Sequence, residues 1–153
     1  MIKVLMVCLG NICRSPLAEG ILRSKVDSDK IFLDSAGTGA WHVGHLPDKR
    51  SIEVAKRNGI DITYQRARQF SEDDFDSFDL IYVMDKENLK AVQSMALTKE
   101  QRDKVHLILD VVKGTKYREV PDPYYGGEQG FDFVFQLLNE ACDQIANNLL
   151  NEK

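Results

Sequence analysis

Cys8-Leu9-Gly10-Asn11-Ile12-Cys13-Arg14-Ser15, followed by Pro16, stands between a short apolar run, Val4-Leu5-Met6-Val7, and an amphipathic stretch from Leu17 to Val26. The run reads as a buried strand and the stretch as a helix. A thiol, two turn-forming residues, an arginine and a serine therefore fall on a strand-to-helix turn near the N-terminus. In an open α/β sheet such a turn lies at the carboxyl end of a strand, where ligands bind. A helix N-terminus presents unpaired N–H groups and a partial positive charge, which together hold an anion. Gly10 and Asn11 are residue types that readily take φ > 0, so successive amides can turn inward as an anion nest. Arg14 offers a planar fork of donors suited to two phosphate oxygens. Ser15 fits the N-cap and Pro16 the first helical position, where a missing N–H costs nothing. Cys8 at the strand end then faces the nest, the arginine and the Ser15 hydroxyl. Such surroundings favour thiolate over thiol, and the thiolate is the nucleophile.

The bulk of the chain sets limits on this reading. Its 153 residues suit one domain, 1–153, with a proper core. Twenty Lys and Arg against 24 Asp and Glu leave a net charge of -4. No basic patch fit for nucleic acid stands out, so an anion must be held by local donors rather than by the overall field. The N-terminal apolar run is short and lacks a cleavage pattern, and no stretch approaches a membrane span, so neither a signal peptide nor a membrane partner is expected. Three cysteines without framework spacing point to the reducing cytoplasm.

Taken in order, Ile2 to Val7 is the first strand and Pro16 to about Val26 the first helix. Ile31-Phe32-Leu33 reads as the second strand, closed by Asp34-Ser35-Ala36-Gly37. Gly37 to Gly44 has the wrong spacing for a dinucleotide loop and no helix at once behind it, so it reads as surface loop. His42 and His45, without further partners in ligand spacing, read as solvated rather than metal-binding. Asp48 to Asn58 is helical, with Ile52, Val54 and Ala55 toward the core and Asn58-Gly59 as the stop. Ile60 to Phe70, carrying Arg66 and Arg68, is irregular. Glu72, Asp73, Asp74 and Asp76 read as a solvated helix start. Leu80 to Met84 is a buried strand, Asp85 the cap of a helix from Lys86 to about Ala96, and Val105 to Leu109 a further strand. Phe131, Val134, Phe135, Leu138, Cys142, Ile145 and Leu149 recur at helical spacing, which predicts a last helix over 131–150 with Cys142 in the core. Strands alternate with helices, so the fold class is α/β: a parallel sheet with helices on both faces.

Cys8-x5-Arg14-Ser15 resembles the phosphate-binding loop of protein tyrosine phosphatases. Its place beside the N-terminus, and the wording from Val7 to Glu19, resemble the low-molecular-weight class. A bare Cys-x5-Arg pattern is weak, whereas the whole run in its strand–helix context is specific. Far along the chain lies Val120-Pro121-Asp122-Pro123-Tyr124-Tyr125. Two prolines around one aspartate fix a non-helical loop. Alone, this could be a turn. In the resembled family an Asp-Pro-Tyr segment at this place carries the general acid, which Asp122 matches. Tyr124 and Tyr125 match aromatic walls of the cleft, and Trp41 resembles a third. The likeness spans essentially the whole chain, including Asp34-Ser35, Ala67-Arg68-Gln69, and Met84-Asp85 with Asn88-Leu89. It implies a single-domain, three-layer α/β/α fold with a four-stranded parallel sheet in flavodoxin-like order, and the Cys8 loop at the switch point.

The resemblance also implies a reaction. Cys8 attacks phosphorus in line with a phenol oxygen, while the loop amides from Leu9 through Gly10, Asn11, Ile12, Cys13 and Arg14 to Ser15 meet the charge on the equatorial oxygens. Asp122 protonates the leaving group and then serves as base for the water that cleaves the phosphocysteine. Ser15 steadies the departing Cys8 thiolate, and Asn11 holds the loop with Ser35 behind it. No metal or cofactor is needed. Phosphotyrosine proteins are the expected partners, met by a monomer or weak homodimer. Mammalian members carry a histidine where this chain has Gln65, and glutamine can both donate and accept in its place. Three rivals share parts of the pattern. Arsenate reductases need further relay cysteines, and Cys142 sits alone on a core stripe. A cysteine phosphocarrier would not need Asp122. Protein arginine phosphatases have threonine at the place of Ile12, whose apolar surface suits a phenyl ring better. Cys13, five residues from Cys8 on a loop that curls around its ligand, is a candidate disulfide partner in a redox response.

Overall fold

A computed structural model describes residues 1–123 and 127–150. Four parallel strands, β1 (Ile2–Cys8), β2 (Ile31–Gly37), β3 (Leu80–Val83) and β4 (Val105–Leu107), lie in the order β2-β1-β3-β4. Cys8 of β1 sits level with Gly37 of β2, and Val7 with Val83 of β3. The helices are α1 (Arg14–Arg23), α2 (Lys49–Arg57), the single turn α3 (Asp74–Ser77), α4 (Lys86–Met95), α5 (Lys99–Asp103) and α6 (Gly127–Leu150). Alternation along β1 divides the core in two. Val4, Met6 and Cys8 face α1, α2 and α6, packing with Leu17, Ile21, Val54, Leu138 and Cys142. Leu5 and Val7 face the other way, onto Phe75, Phe78 and Val92. A strand buried on both faces reads as a continuous apolar run, which is why Val4–Val7 shows no alternation in its sequence. The chain passes from β1 to β2 on one side and then crosses back past β1 to β3 on the other, so the end of β1 is the point where the strand order reverses.

The expected α/β/α architecture is present, and the departures are local. β2 runs on to Gly37, because its last residues pair in register with β1. β4 stops at Leu107, and Ile108–Val111 turns into a 3-10 helix that keeps Ile108 and Leu109 buried. α5 is a short helix without an apolar stripe, capped by the Thr98 hydroxyl, and it has no buried residue to announce it. Helix α1 begins at Arg14, with Cys13 rather than Ser15 at the N-cap position. Pro16 is therefore its third residue, still within the first turn where an N–H has no helical partner. α2 follows expectation: the Asp48 side chain accepts the Arg50 N–H at 2.8 Å, and Gly59 past the stop has φ 78°. Among the described residues no helix is long and apolar enough to cross a membrane.

Candidate active site

Residues 8–15 curl around the end of β1, and their carbonyls are taken from outside. The Cys8 carbonyl accepts from the Thr38 N–H at 2.9 Å, Leu9 from Gly39 at 2.9 Å, Ile12 from Asp48 at 2.7 Å, and Cys13 from the Ser51 hydroxyl at 3.3 Å. No peptide bond among the described residues is cis. In a trans peptide the next N–H points opposite to the carbonyl. Clamping these carbonyls thus aims the N–H groups of Leu9, Gly10, Cys13 and Arg14 the other way, into the ring. The loop after β2 and the start of α2 do the clamping, which explains why a nest can form without a long glycine run.

Asn11, with φ 57°, is the one non-glycine in the left-handed region among the described residues. Gly10 does not share that conformation, contrary to expectation. It is small for another reason, since a Cβ there would lie 3.1 Å from His42 Cδ2. The left-handed region costs an L-residue about 1–2 kcal/mol. Asn11 offsets this through three side-chain bonds, each worth about 0.5–1.5 kcal/mol net. Nδ2 donates to Ser15 Oγ at 2.8 Å and Ser35 Oγ at 3.0 Å, and Oδ1 accepts the Arg68 N–H at 3.0 Å. Ser15 Oγ lies 3.0 Å from Cys8 Sγ. The serine does not cap the helix; its hydroxyl is turned instead between the asparagine amide and the thiol. Behind it, Ser35 Oγ donates to Gln65 Oε1 at 3.4 Å, and Gln65 Nε2 donates to the Pro16 carbonyl at 3.0 Å and Tyr64 Oη at 3.3 Å. Gln65 thus supports the loop both by accepting from Ser35 and by donating to α1.

Arg14, 3% exposed, is set by the N-cap of α4 and by the segment before α6. Its Nη1 donates to Asp85 Oδ2 at 2.7 Å and to the Val120 carbonyl at 2.9 Å. Burial pulls the guanidinium down, but the Cys8 and Asp85 charges outweigh that and hold it above its ordinary value. Asp85 does double duty: its other oxygen accepts the Asn88 N–H at 2.8 Å as the cap of α4. Only the capping role was visible in sequence. The place of Asp85 two residues past β3, whose Val83 lies level with Val7 of β1, was the signal for the second. Cys13 is buried, and burial together with the nearby charges of Asp48, Cys8 and Asp122 pushes its thiol up to about 12.

Cys8, Leu9, Gly10, Ile12, Cys13, Arg14, Trp41, His42 and Asp122 line one cleft of about 270 Å³. The structure therefore brings the loop, Trp41 and Asp122 together. Trp41 stands 69% exposed at the rim, over Gly39, where a Cβ would strike its ring. His42 belongs to the cleft wall and is not simply solvated. Tyr124 and Tyr125 lie outside the described residues. Among the described residues no group of three His, Cys, Asp or Glu could hold a metal ion. A buried thiol at the floor of an apolar-sided cleft, beside an inward-facing amide ring and an arginine, can attack a phosphoryl group with its charge already met. A carboxyl on the wall can deliver a proton.

Residues 3–153 match a family model described as low molecular weight phosphotyrosine protein phosphatase. The chain is 45% identical over 157 residues to the low molecular weight protein-tyrosine-phosphatase YfkJ of Bacillus subtilis, covering 100% of this chain and 99% of that one. It is likewise 45% identical over 144 residues to a low molecular weight phosphotyrosine protein phosphatase of Schizosaccharomyces pombe, covering 90% and 91%. The crystal structure of YfkJ superposes with a TM-score of 0.93 at 44% identity, over 100% of this chain and 97% of that one.

Proposed function

The chain belongs to the low molecular weight phosphotyrosine protein phosphatase family and is a protein-tyrosine phosphatase; we propose that it acts through a phosphocysteine on Cys8, with Asp122 as the proton donor. The observation that carries this reading is the convergence of the Cys8 thiol, the Ser15 hydroxyl 3.0 Å from it, Arg14 and Asp122 on one cleft. The phosphoryl oxygens of the substrate sit in the amide ring with Arg14 beside them. Cys8 Sγ forms a bond to phosphorus as the bond to the phenol oxygen breaks. A phenolate is a poor leaving group, its conjugate acid titrating near pH ~10, so Asp122 protonates it as it departs. Asp122 then removes a proton from water, which attacks the phosphocysteine and releases phosphate and the thiolate. Ser15 Oγ, kept in line by Asn11, stabilises that thiolate as it leaves. Ile12 and Trp41 flank the path of the aryl ring, and their apolar surfaces fit a phenyl group better than a guanidino group. Phosphotyrosine-bearing proteins are the partners, and three free, buried cysteines fit a cytoplasmic setting. The protein acts as a monomer or weak homodimer.

Turnover of phosphotyrosine, phosphoserine and phosphoarginine peptides, compared side by side, tests the reading. Phosphotyrosine should be strongly preferred, and Cys8→Ser should abolish release of phosphate while the protein stays folded. A preference for phosphoarginine, or substantial turnover by Cys8→Ser, would refute it.

A further inference from the structure

The oxygen of the Asn11 side chain is held by a backbone group from a distant segment, the Arg68 N–H at 3.0 Å. That donor is only as well placed as the chain that carries it, and residues 65–70 form no helix or regular strand. They are laid along the end of β2, with Gly37 N donating to the Arg68 carbonyl at 2.8 Å and Phe70 N to the Gly37 carbonyl at 2.7 Å. Residue 68 is further pinned by its own side chain. Nη1 and Nη2 fork onto Asp74 Oδ2 and Oδ1 at 3.0 Å each, and Nε donates to Asp34 Oδ2 at 3.0 Å. Asp34 Oδ1 accepts the Ser35 N–H at 2.8 Å, and Ser35 Oγ in turn accepts from Asn11. The Asp34 arm of the guanidinium thus leads back through Ser35 to the same asparagine, while the Asp74 fork anchors the residue whose N–H meets it.

Asp74 is not the solvated acid its sequence context suggested. It is 6% exposed and also accepts the Ser71 N–H at 2.9 Å. A buried carboxylate met by a two-pronged guanidinium makes a stiff, directional joint. Partial burial pulls the Arg68 guanidinium down, but its bonds and charge contacts with Asp74 and Asp34 prevail and hold it above its ordinary value.

We propose that Asp74, acting through the Arg68 fork, is a positioning residue for the reaction: the pair sets where the Arg68 amide meets Asn11 and so keeps the phosphate loop in the shape that binds the transition state. This rests on the phosphatase reading above. Neither side chain lines the cleft, so the pair works on the loop rather than on the substrate. A loop displaced by a fraction of an ångström still embraces a tetrahedral phosphate. It loses more against the five-coordinate phosphorus of the transition state, whose equatorial oxygens need the amides at fixed places.

Asp74→Asn is nearly isosteric and keeps an acceptor for Ser71. Arg68→Met removes the fork but leaves the backbone N–H. With p-nitrophenyl phosphate each variant should lose up to about 10²-fold in kcat, with KM little changed. Vanadate, which adopts the five-coordinate geometry, should weaken as an inhibitor by the same factor as kcat/KM, and inorganic phosphate by much less. The double variant should be no worse than the worse single one, because both cut one link. Melting curves establish that each variant is folded at the assay temperature. A purely structural role would lower the melting temperature and leave the vanadate-to-phosphate ratio at the wild-type value; that result, or full additivity, overturns the proposal. If Arg68→Met does not fold, Asp74→Asn and Asp34→Asn carry the test, and an unchanged ratio in both overturns it. An inactive wild-type protein would strike the phosphatase reading instead.

Discussion

Asp122 and the two loop cysteines are the residues whose chemistry is most open to experiment. A general acid matters in proportion to how badly the leaving group needs a proton. Asp122→Asn should therefore slow phenyl phosphate by ~10²–10⁴-fold while costing far less with p-nitrophenyl phosphate, whose phenolate leaves unaided. Equal losses on both substrates in single-turnover phosphorylation would remove Asp122 from that step. Cys8 and Cys13 line the same cleft and are both buried. Mild peroxide is expected to oxidise the Cys8 thiolate to a sulfenic acid with release of hydroxide. The Cys13 thiol should then displace water to close a disulfide, which would protect Cys8 from irreversible oxidation. Because the Cys13 thiol is pushed up to about 12, little of it is thiolate at neutral pH. Closure should therefore quicken steadily from about pH 6 to about pH 8.5. Mass spectrometry of the oxidised loop, with recovery by a thiol reductant, reads the outcome. Full recovery in Cys13→Ser would refute the protective role.

At the scale of elements, α1 carries both the arginine of the site and a buried acid. Glu19 is 2% exposed and accepts from Tyr64 Oη at 2.6 Å and Arg23 Nη2 at 3.4 Å. Burial pushes its carboxyl up, and the Tyr64 bond and the Arg23 charge counter only part of that. A carboxyl raised above its unfolded value of ~4.3 adds stability below that value and loses it as pH rises through the folded one. The difference in stability between Glu19→Gln and wild type should accordingly move in favour of the variant between about pH 4 and pH 7. Urea midpoints across that range check it, and a flat difference would show that Glu19 does not feel its burial.

Across the whole molecule, the site depends on irregular chain lying tightly against α1. A Cβ on Gly20 would sit 2.4 Å from Ile62 Cγ2 and 3.2 Å from Ile60 Cγ2. In an exposed helix alanine would be better than glycine by about 1 kcal/mol. Here overpacking costs about 1–3 kcal/mol, so the clash should win. Gly20→Ala is expected to lower the melting temperature by about 2–4 °C per kcal/mol lost. A rise would mean that Ile62 swings aside without consequence.

The residues at the ends of strands were readable because local chemistry speaks for itself there. An apolar run ending in Cys8, turn residues, and an arginine before an amphipathic helix have few other physical uses, and the Pro-Asp-Pro segment holds its carboxyl out of any helix. The alternation of strand and helix likewise dictated a parallel sheet before any contact was known. What sequence could not contain was who meets whom across long separations. Asp85 and Asp74 are carboxylates in ordinary capping and acidic contexts, and nothing nearby tells that one grips Arg14 and the other Arg68. Ser15 looked like a cap because capping is a local motif, yet its hydroxyl serves a thiol and an asparagine brought to it by the turn of the loop. Pairings of charge and hydrogen bond act over a few ångströms in space with no period along the chain. Only the packed sheet and its clamped loop decide them.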